Sequence, residues 1–193
     1  MKTDIILSGV GGQGILSIAA VLGAAALENN YHLKQAETHG MSQRGGAVVS
    51  HLRISDKPIS SDLIPMGKAD IILSVEPMES LRYLSFLKPN GYLVTNTTPF
   101  INIKNYPEIQ SVLNEIKKQP NTIAIDADTI AKNIGNGKAS NMVMIGAATP
   151  FIDIPFEKIE NGIKQIFERK GADIVELNLK AFHTGRDFAL ENR

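Results

Sequence analysis

The chain has 193 residues, enough for one domain that buries roughly 70% of the surface its unfolded form exposes. Basic and acidic side chains both total 20, and with a pI near 6.9 the protein has no electrostatic footprint for nucleic acid or an anionic membrane. It contains no cysteine, which excludes disulfides and any thiolate-held iron–sulfur cluster in this polypeptide.

The first apolar run, residues 3–8, reads as a strand that enters the turn Gly9-Val10-Gly11-Gly12-Gln13-Gly14. A helix over 13–29 follows at once. No charged residue occurs between Ile5 and Leu27, a length that raises a membrane span. Glycines and Gln13 interrupt that stretch, and Asp4 offsets Lys2, so a buried strand and a buried helix account for it better. The helix is apolar on nearly every side. It is therefore expected to be covered nearly all round, by the C-terminal helices in preference to a partner subunit. Further strands are predicted over 33–37, 47–54, 70–75, 92–96 and 122–126, and helices over 77–86, 108–119, 128–135, 141–149, 155–170 and 173–190. Ile71-Ile72-Leu73 is a continuous apolar run, as burial on both faces requires, whereas the pattern from Val49 onward alternates and suggests an edge strand or hairpin. Pro89-Asn90-Gly91 reads as a turn, Asp128 as a helix N-cap, and Pro155 suits a first helical turn. Alternating strands and helices predict an α/β fold: a three-layer αβα arrangement with a mostly parallel, Rossmann-like sheet and an edge hairpin, in one domain over residues 1–193.

Two polar, glycine-bearing stretches hold the candidate site. Gly9, Gly11 and Gly14 satisfy the G-x-G-x-x-G spacing, and Glu37 ends the second strand, near where a dinucleotide fold places its ribose-binding acid. A nicotinamide or flavin dinucleotide is thus one reading. A nucleotide-hydrolysing loop is not, because Ile15-Leu16 stand where Lys and Ser or Thr are needed. A plain tight turn, a different phosphate-bearing ligand or a subunit contact remain open for the same glycines. The second stretch, Glu37-Thr38-His39-Gly40-Met41-Ser42-Gln43-Arg44-Gly45-Gly46, fits neither a dinucleotide fingerprint nor a plain turn. At the carboxyl end of a strand it would share the ligand crevice with the first loop, and Arg44 offers a planar donor fork to phosphate or carboxylate. The candidate binding residues are Gly9, Gly11, Gly12, Gln13, Gly14, Ser42, Gln43 and Arg44; no catalytic residue and no metal ligand is expected. His32 reads as surface, His51 as packed or hydrogen-bonded, His183 as structural, and 141–148 as a packed helix with Gly146 at a close contact.

These motifs, with Ala69-Asp70, Glu76, Leu81-Arg82-Tyr83-Leu84, Lys88-Pro89-Asn90-Gly91, Asn136, Lys138, Asn141-Met142-Val143-Met144 and Asn178-Leu179-Lys180-Ala181-Phe182, resemble the gamma-type domain of 2-oxoacid:ferredoxin oxidoreductases, the indolepyruvate branch most nearly. Asn90 stands where glycine is commoner in that family. The resemblance spans essentially the whole chain and implies a stand-alone cytoplasmic subunit. It further implies oxidative decarboxylation of a 2-oxoacid, an aryl pyruvate here, to acyl-coenzyme A and CO2, with electrons passing to ferredoxin. Thiamine diphosphate and iron–sulfur clusters would sit in a large partner subunit, coenzyme A would be the co-substrate, and this chain alone would hold no cofactor. Its part would be to complete the active-site crevice or the way in for coenzyme A. A gamma subunit of a pyruvate or 2-oxoglutarate enzyme, or a free-standing NAD- or FAD-binding enzyme, is the alternative.

Overall fold

A computed structural model describes residues 1–39, 45–101 and 103–193, His39 through its backbone alone. The elements run β1 (Lys2–Val10), α1 (Ile15–Glu28), β2 (His32–His39), β3 (Ala47–Ser55), β4 (Ala69–Ser74), α2 (Pro77–Arg82), β5 (Leu87–Asn96), α3 (Ile109–Lys117), β6 (Thr122–Ile125), α4 (Ala127–Ile134), α5 (Ser140–Ala148), α6 (Phe156–Phe167) and α7 (Ala172–Glu191). The strands form one sheet in the order β2-β3-β1-β4-β5-β6. β1, β4, β5 and β6 pair in parallel, and β3 is antiparallel to both β1 and β2. The expected α/β sheet with its hairpin is therefore present, but β3 lies inside the sheet and β2 forms the edge.

Alternate residues of each central strand feed opposite layers. Ile5, Leu7, Ile71, Leu73, Val94 and Ile123 face a large core built with α1 and α4 to α7. Ile6, Ile72 and Leu93 face a smaller one with Val112 and Ile116 of α3. Each such fully buried side chain contributes roughly 1.5–3 kcal/mol of transfer free energy. In the thicker layer α5 and α7 cross with their backbones in contact. A Cβ on Gly146 would lie 1.9 Å from Phe182 O, and one on Gly185 would lie 2.0 Å from Val143 O. Only glycine permits that approach, as the sequence suggested for Gly146.

Four local expectations are corrected. Pro89-Asn90-Gly91 is no turn; it lies within β5, where the pairing with β4 slips between Ala69 and Ile71 and accommodates the extra residues as a bulge. Asp126, not Asp128, caps α4, accepting from Thr129 N at 3.0 Å. Pro155 is the N-cap position of α6 and precedes its first turn. Helix α1 is covered on most sides, chiefly by α5 and α6, yet Leu16 and Leu27 stay 58% and 63% exposed. Among the described residues no helix is long and apolar enough to cross a membrane.

Candidate functional site

The connection from β1 to β2 places α1 on one face of the sheet, while α2 and α3, which follow β4 and β5, lie on the other. The chain thus switches sides between β1 and β4, and in such sheets the ends of the strands diverge there into a crevice. A cleft of about 740 Å³ opens at that point, with Gly12, Gln13, Gly14, Val75 and Asn96 along its base.

Two amide side chains hold the base together. Gln13 Oε1 accepts from Val10 N at 2.7 Å, and its Nε2 donates to Val75 O at 3.3 Å, stapling the glycine turn to the end of β4. Asn96 Nδ2 donates to Asp128 Oδ2 at 2.8 Å and to Val75 O at 3.4 Å, while Asn96 Oδ1 accepts from Ala127 N at 3.1 Å. From the far wall Asn141 Nδ2 donates to Gln13 O at 2.9 Å and Gly14 O at 3.1 Å. Gly14 caps α1 in a left-handed conformation (φ 78°), with no side-chain cap and no acidic residue in the first turn. The amino end of α1 is thereby left uncovered by carboxylates at the cleft floor.

Three lysines, Lys132 of α4, Lys138 of the 3-10 turn Gly137–Ala139 and Lys170 of the 3-10 turn Glu168–Lys170, line the cleft against one carboxylate, that of Asp128. Lys132 and Lys138 make no ion pair among the described residues, and Lys170 Nζ lies over the Phe167 ring at 5.0 Å. Burial disfavours charge on the neighbouring Asp126, but the Thr129 N–H, the Thr129 and Thr98 hydroxyls and Lys132 outweigh it and hold the carboxyl below its usual range. In a chain of zero net charge this cleft selects for an anion.

The predicted residues separate into three groups. Gln13, Gly12 and Gly14 line the cleft. Gly11 and Gly12 also line a second opening of about 380 Å³ beside Leu16, Glu37 and Val48, so the glycine loop is a ridge between two hollows. Gly9 instead lies buried in β1, where a Cβ would meet Val75 Cγ2 at 2.4 Å; its missing side chain admits a protein neighbour rather than a ligand. Ser42, Gln43 and Arg44 lie outside the described residues. The two residues that follow them are bonded to the first loop: Gly11 N donates to Gly46 O at 2.8 Å and Gly45 N to Gly11 O at 3.1 Å. The two glycine stretches are therefore hydrogen-bonded neighbours.

The remaining expectations resolve as follows. Glu37 is on β2, and β3 stands between β2 and β1. That places its strand about 10 Å from β1, one strand farther than a dinucleotide fold puts its ribose acid. His32 is exposed, His51 accepts from Ile64 N through Nδ1 at 3.0 Å, and His183 pairs with Glu160 at 2.6 Å. Sequence reasoning missed Asn96, Lys132 and Lys170 and assigned no contact to Lys138 or Asn141. The latter two carried the resemblance, which was the available signal; Lys132 and Lys170 had none.

Comparison with known proteins gives a consistent result. Residues 4–188 match the family described as pyruvate ferredoxin/flavodoxin oxidoreductase. A relative from Archaeoglobus fulgidus, an indolepyruvate oxidoreductase subunit IorB, is 37% identical over 100% of this chain and 98% of its own. The solved gamma subunit of a keto/oxoacid ferredoxin oxidoreductase from Geobacter sulfurreducens superposes with a TM-score of 0.72 at 26% identity, covering 98% of this chain and 99% of that one. The 2-oxoglutarate:ferredoxin oxidoreductase from Magnetococcus marinus, solved with 2-oxoglutarate, coenzyme A and succinyl-CoA bound, shares the fold with a TM-score of 0.77 at 20% identity; the match spans 98% of this chain but 31% of that longer one. The chain belongs to the pyruvate ferredoxin/flavodoxin oxidoreductase family.

Proposed function

We propose that the protein is the smaller subunit of a coenzyme A-dependent 2-oxoacid:ferredoxin oxidoreductase acting on indolepyruvate and kindred aryl pyruvates in the cytoplasm. The observation that carries the reading is the lysine-bearing cleft beneath the glycine ridge, in a chain whose relative of matching length is an indolepyruvate oxidoreductase subunit. In the reaction the 2-oxoacid loses its carboxylate as CO2, the acyl carbon forms a thioester with coenzyme A, and two electrons leave for two one-electron ferredoxins. Thiamine diphosphate would supply the electron sink for that decarboxylation, and iron–sulfur clusters would carry the electrons. With no cysteine in this chain, thiolate-held clusters belong to the large companion subunit, and we assign thiamine diphosphate to the same companion.

Within this scheme Lys132, Lys138 and Lys170 bind the phosphates of coenzyme A, and the bare amino end of α1 receives one of them. Gln13, Asn96 and Asn141 fix the ridge so that little conformational freedom is lost on binding. Ser42, Gln43 and Arg44, outside the described residues, are assigned to the same ligand by their chemistry alone, Arg44 as a planar donor fork for phosphate or carboxylate. The free-standing dinucleotide enzyme is the weaker reading, because Glu37 is displaced by the intervening β3.

The test is reconstitution. Each purified subunit alone should lack indolepyruvate-dependent reduction of ferredoxin, and the mixture should regain it with an absolute need for coenzyme A. Turnover by the lone chain, or its micromolar binding of NAD, NADP or FAD by calorimetry, would overturn the proposal.

A further inference from the structure

Between β5 and α3, residues 97–101 and 103–108 are described; they border the cleft and are fastened from below. Thr97 N donates to Ile125 O at 3.0 Å and Thr98 Oγ1 to Asp126 Oδ1 at 3.1 Å. Farther along, Phe100 N, at 3.4 Å, and the Tyr106 hydroxyl both donate to Glu76 Oε1. The other oxygen of Glu76 accepts from Glu79 N at 2.8 Å, and the residue is wholly buried. One carboxyl thus gathers the segment at two points and ties it to the start of α2. Burial, and then the bond to Glu76, push the Tyr106 phenol well above its ordinary range, so it remains a donor.

Between these anchors large apolar side chains face solvent: Phe100 is 41% exposed, Ile101 72% and Ile103 46%. A single exposed isoleucine is ordinary. Three apolar side chains within four positions, on a segment pinned by a buried carboxyl, form a presented patch of the kind that marks a contact surface. The patch lies at the carboxyl end of the strands, and Phe100 also lines the cleft.

Two of the relatives bear on what could cover it. The same fold occurs within the longer Magnetococcus marinus chain, of which the match spans 31%, and as a separate subunit of this length in Archaeoglobus fulgidus. Contacts that join this fold to the rest of one chain in the first arrangement have to join separate chains in the second. The cleft ligand must also meet chemistry that this chain does not carry, which places the second polypeptide at the cleft mouth, beside Phe100. We propose that Phe100, Ile101 and Ile103 are the docking arm that seats this chain on an apolar surface of its companion oxidoreductase subunit, with Glu76 as the positioning residue that holds the arm ready. This inference rests on the subunit reading above.

The experiment uses the two purified subunits and measures assembly by sedimentation velocity across a concentration series, with thermal melting of the lone chain alongside. Ile101→Asp should weaken assembly at least tenfold and leave melting unchanged, since its side chain is 72% exposed. Glu76→Gln should weaken assembly a few-fold while kcat at saturating companion stays at the wild-type value. Leu27→Asp, on the exposed stripe of α1, should change nothing. Failure of the wild-type chain to assemble would overturn the subunit reading itself. Wild-type assembly with Ile101→Asp undiminished would overturn this inference alone, as would undiminished assembly with a raised KM for coenzyme A, which would make the segment a lid. Weakening by Leu27→Asp in place of Ile101→Asp would transfer the interface to α1 and likewise reject the arm.

Discussion

At the amino end of the parallel strands, buried Asp4 receives Arg53 Nε at 2.8 Å and Nη2 at 3.1 Å, Lys2 approaches it at 2.8 Å, and Asp70 is shared between Asp4 N and Lys88. At the carboxyl end Lys132, Lys138 and Lys170 surround open space with one carboxylate among them. Both ends are charged, but one end has spent its charges on internal pairs, whereas Lys132 and Lys138 at the other make no ion pair among the described residues. The difference separates residues that hold the fold from residues available for binding, and substitutions at the two ends should fail in different assays.

Arg53→Met should give the largest effect. It leaves Asp4 buried without its bidentate partner and removes the donors to Ser61 O and Leu63 O that hold the 56–68 segment. Breaking one side of a buried pair costs about 3–5 kcal/mol where the remaining charge is left alone, and Lys2, still 2.8 Å from Asp4, should hold the loss to the lower end of that range, measurable as a lowered urea midpoint. The folded fraction should still bind coenzyme A normally in the reconstituted enzyme. Loss of binding with stability intact would erase the contrast between the two ends.

Gly14→Ala attacks the carboxyl end through backbone alone. The new Cβ would sit 2.6 Å from Asn141 Nδ2 at a residue with φ 78°, so the strain should cost about 1–3 kcal/mol. Because Asn141 must move, the KM for coenzyme A should rise as well, and a change in stability with KM fixed would remove Asn141 from the binding geometry. Lys132→Ala and Lys138→Ala should do the converse: unfolding free energies from urea titration within about 0.5 kcal/mol of wild type, and a KM raised about three- to tenfold for each. Raising the ionic strength should shrink that difference, since exposed charges are screened. Insensitivity to both lysines would detach the cleft from the co-substrate.

How far these ends could be read from the sequence depends on what each one needs. Each predicted strand and helix corresponds to one in the structure, because apolar runs such as Ile71-Ile72-Leu73 act over a few positions, although the cap of α4 is Asp126 and not the expected Asp128. The edge hairpin was legible too, and backbone bonds from Gly11 to Gly45 and Gly46 bring the end of the second glycine stretch beside the first. Strand order was not. Periodicity says which segments are strands but not which are neighbours, so the insertion of β3 between β1 and β2, and with it the displacement of Glu37, stayed hidden. Pro89-Asn90-Gly91 has turn chemistry, yet parallel pairing with β4 on both sides absorbs it as a bulge. The lysines are the clearest omission: Lys132, Lys138 and Lys170 come from separate elements and meet only after α4 and α7 pack on the sheet.

The smallest effect expected is a pH response that belongs to the paired end. His51 Nδ1 accepts from Ile64 N at 3.0 Å, which requires the unprotonated nitrogen, and the ring meets Phe86 edge-on at 5.4 Å. Burial, and then the charge of Arg53, lower its pKa, with Asp62 opposing. The unfolded chain titrates near 6.5. Above that pH both states are neutral and the contribution of His51 is fully present. As pH falls below 6.5 the unfolded chain binds a proton first, so stability declines until the folded ring also titrates, at about 1.4 kcal/mol for each unit separating the two pKa values. His51→Gln can keep an acceptor for Ile64 N without titrating, and its urea midpoint should therefore fall less steeply than wild type below pH 6.5 while matching it at pH 8. Identical acid slopes in the two proteins would mean that Ile64 gains nothing from the neutral ring, leaving the 56–68 segment to Arg53 alone.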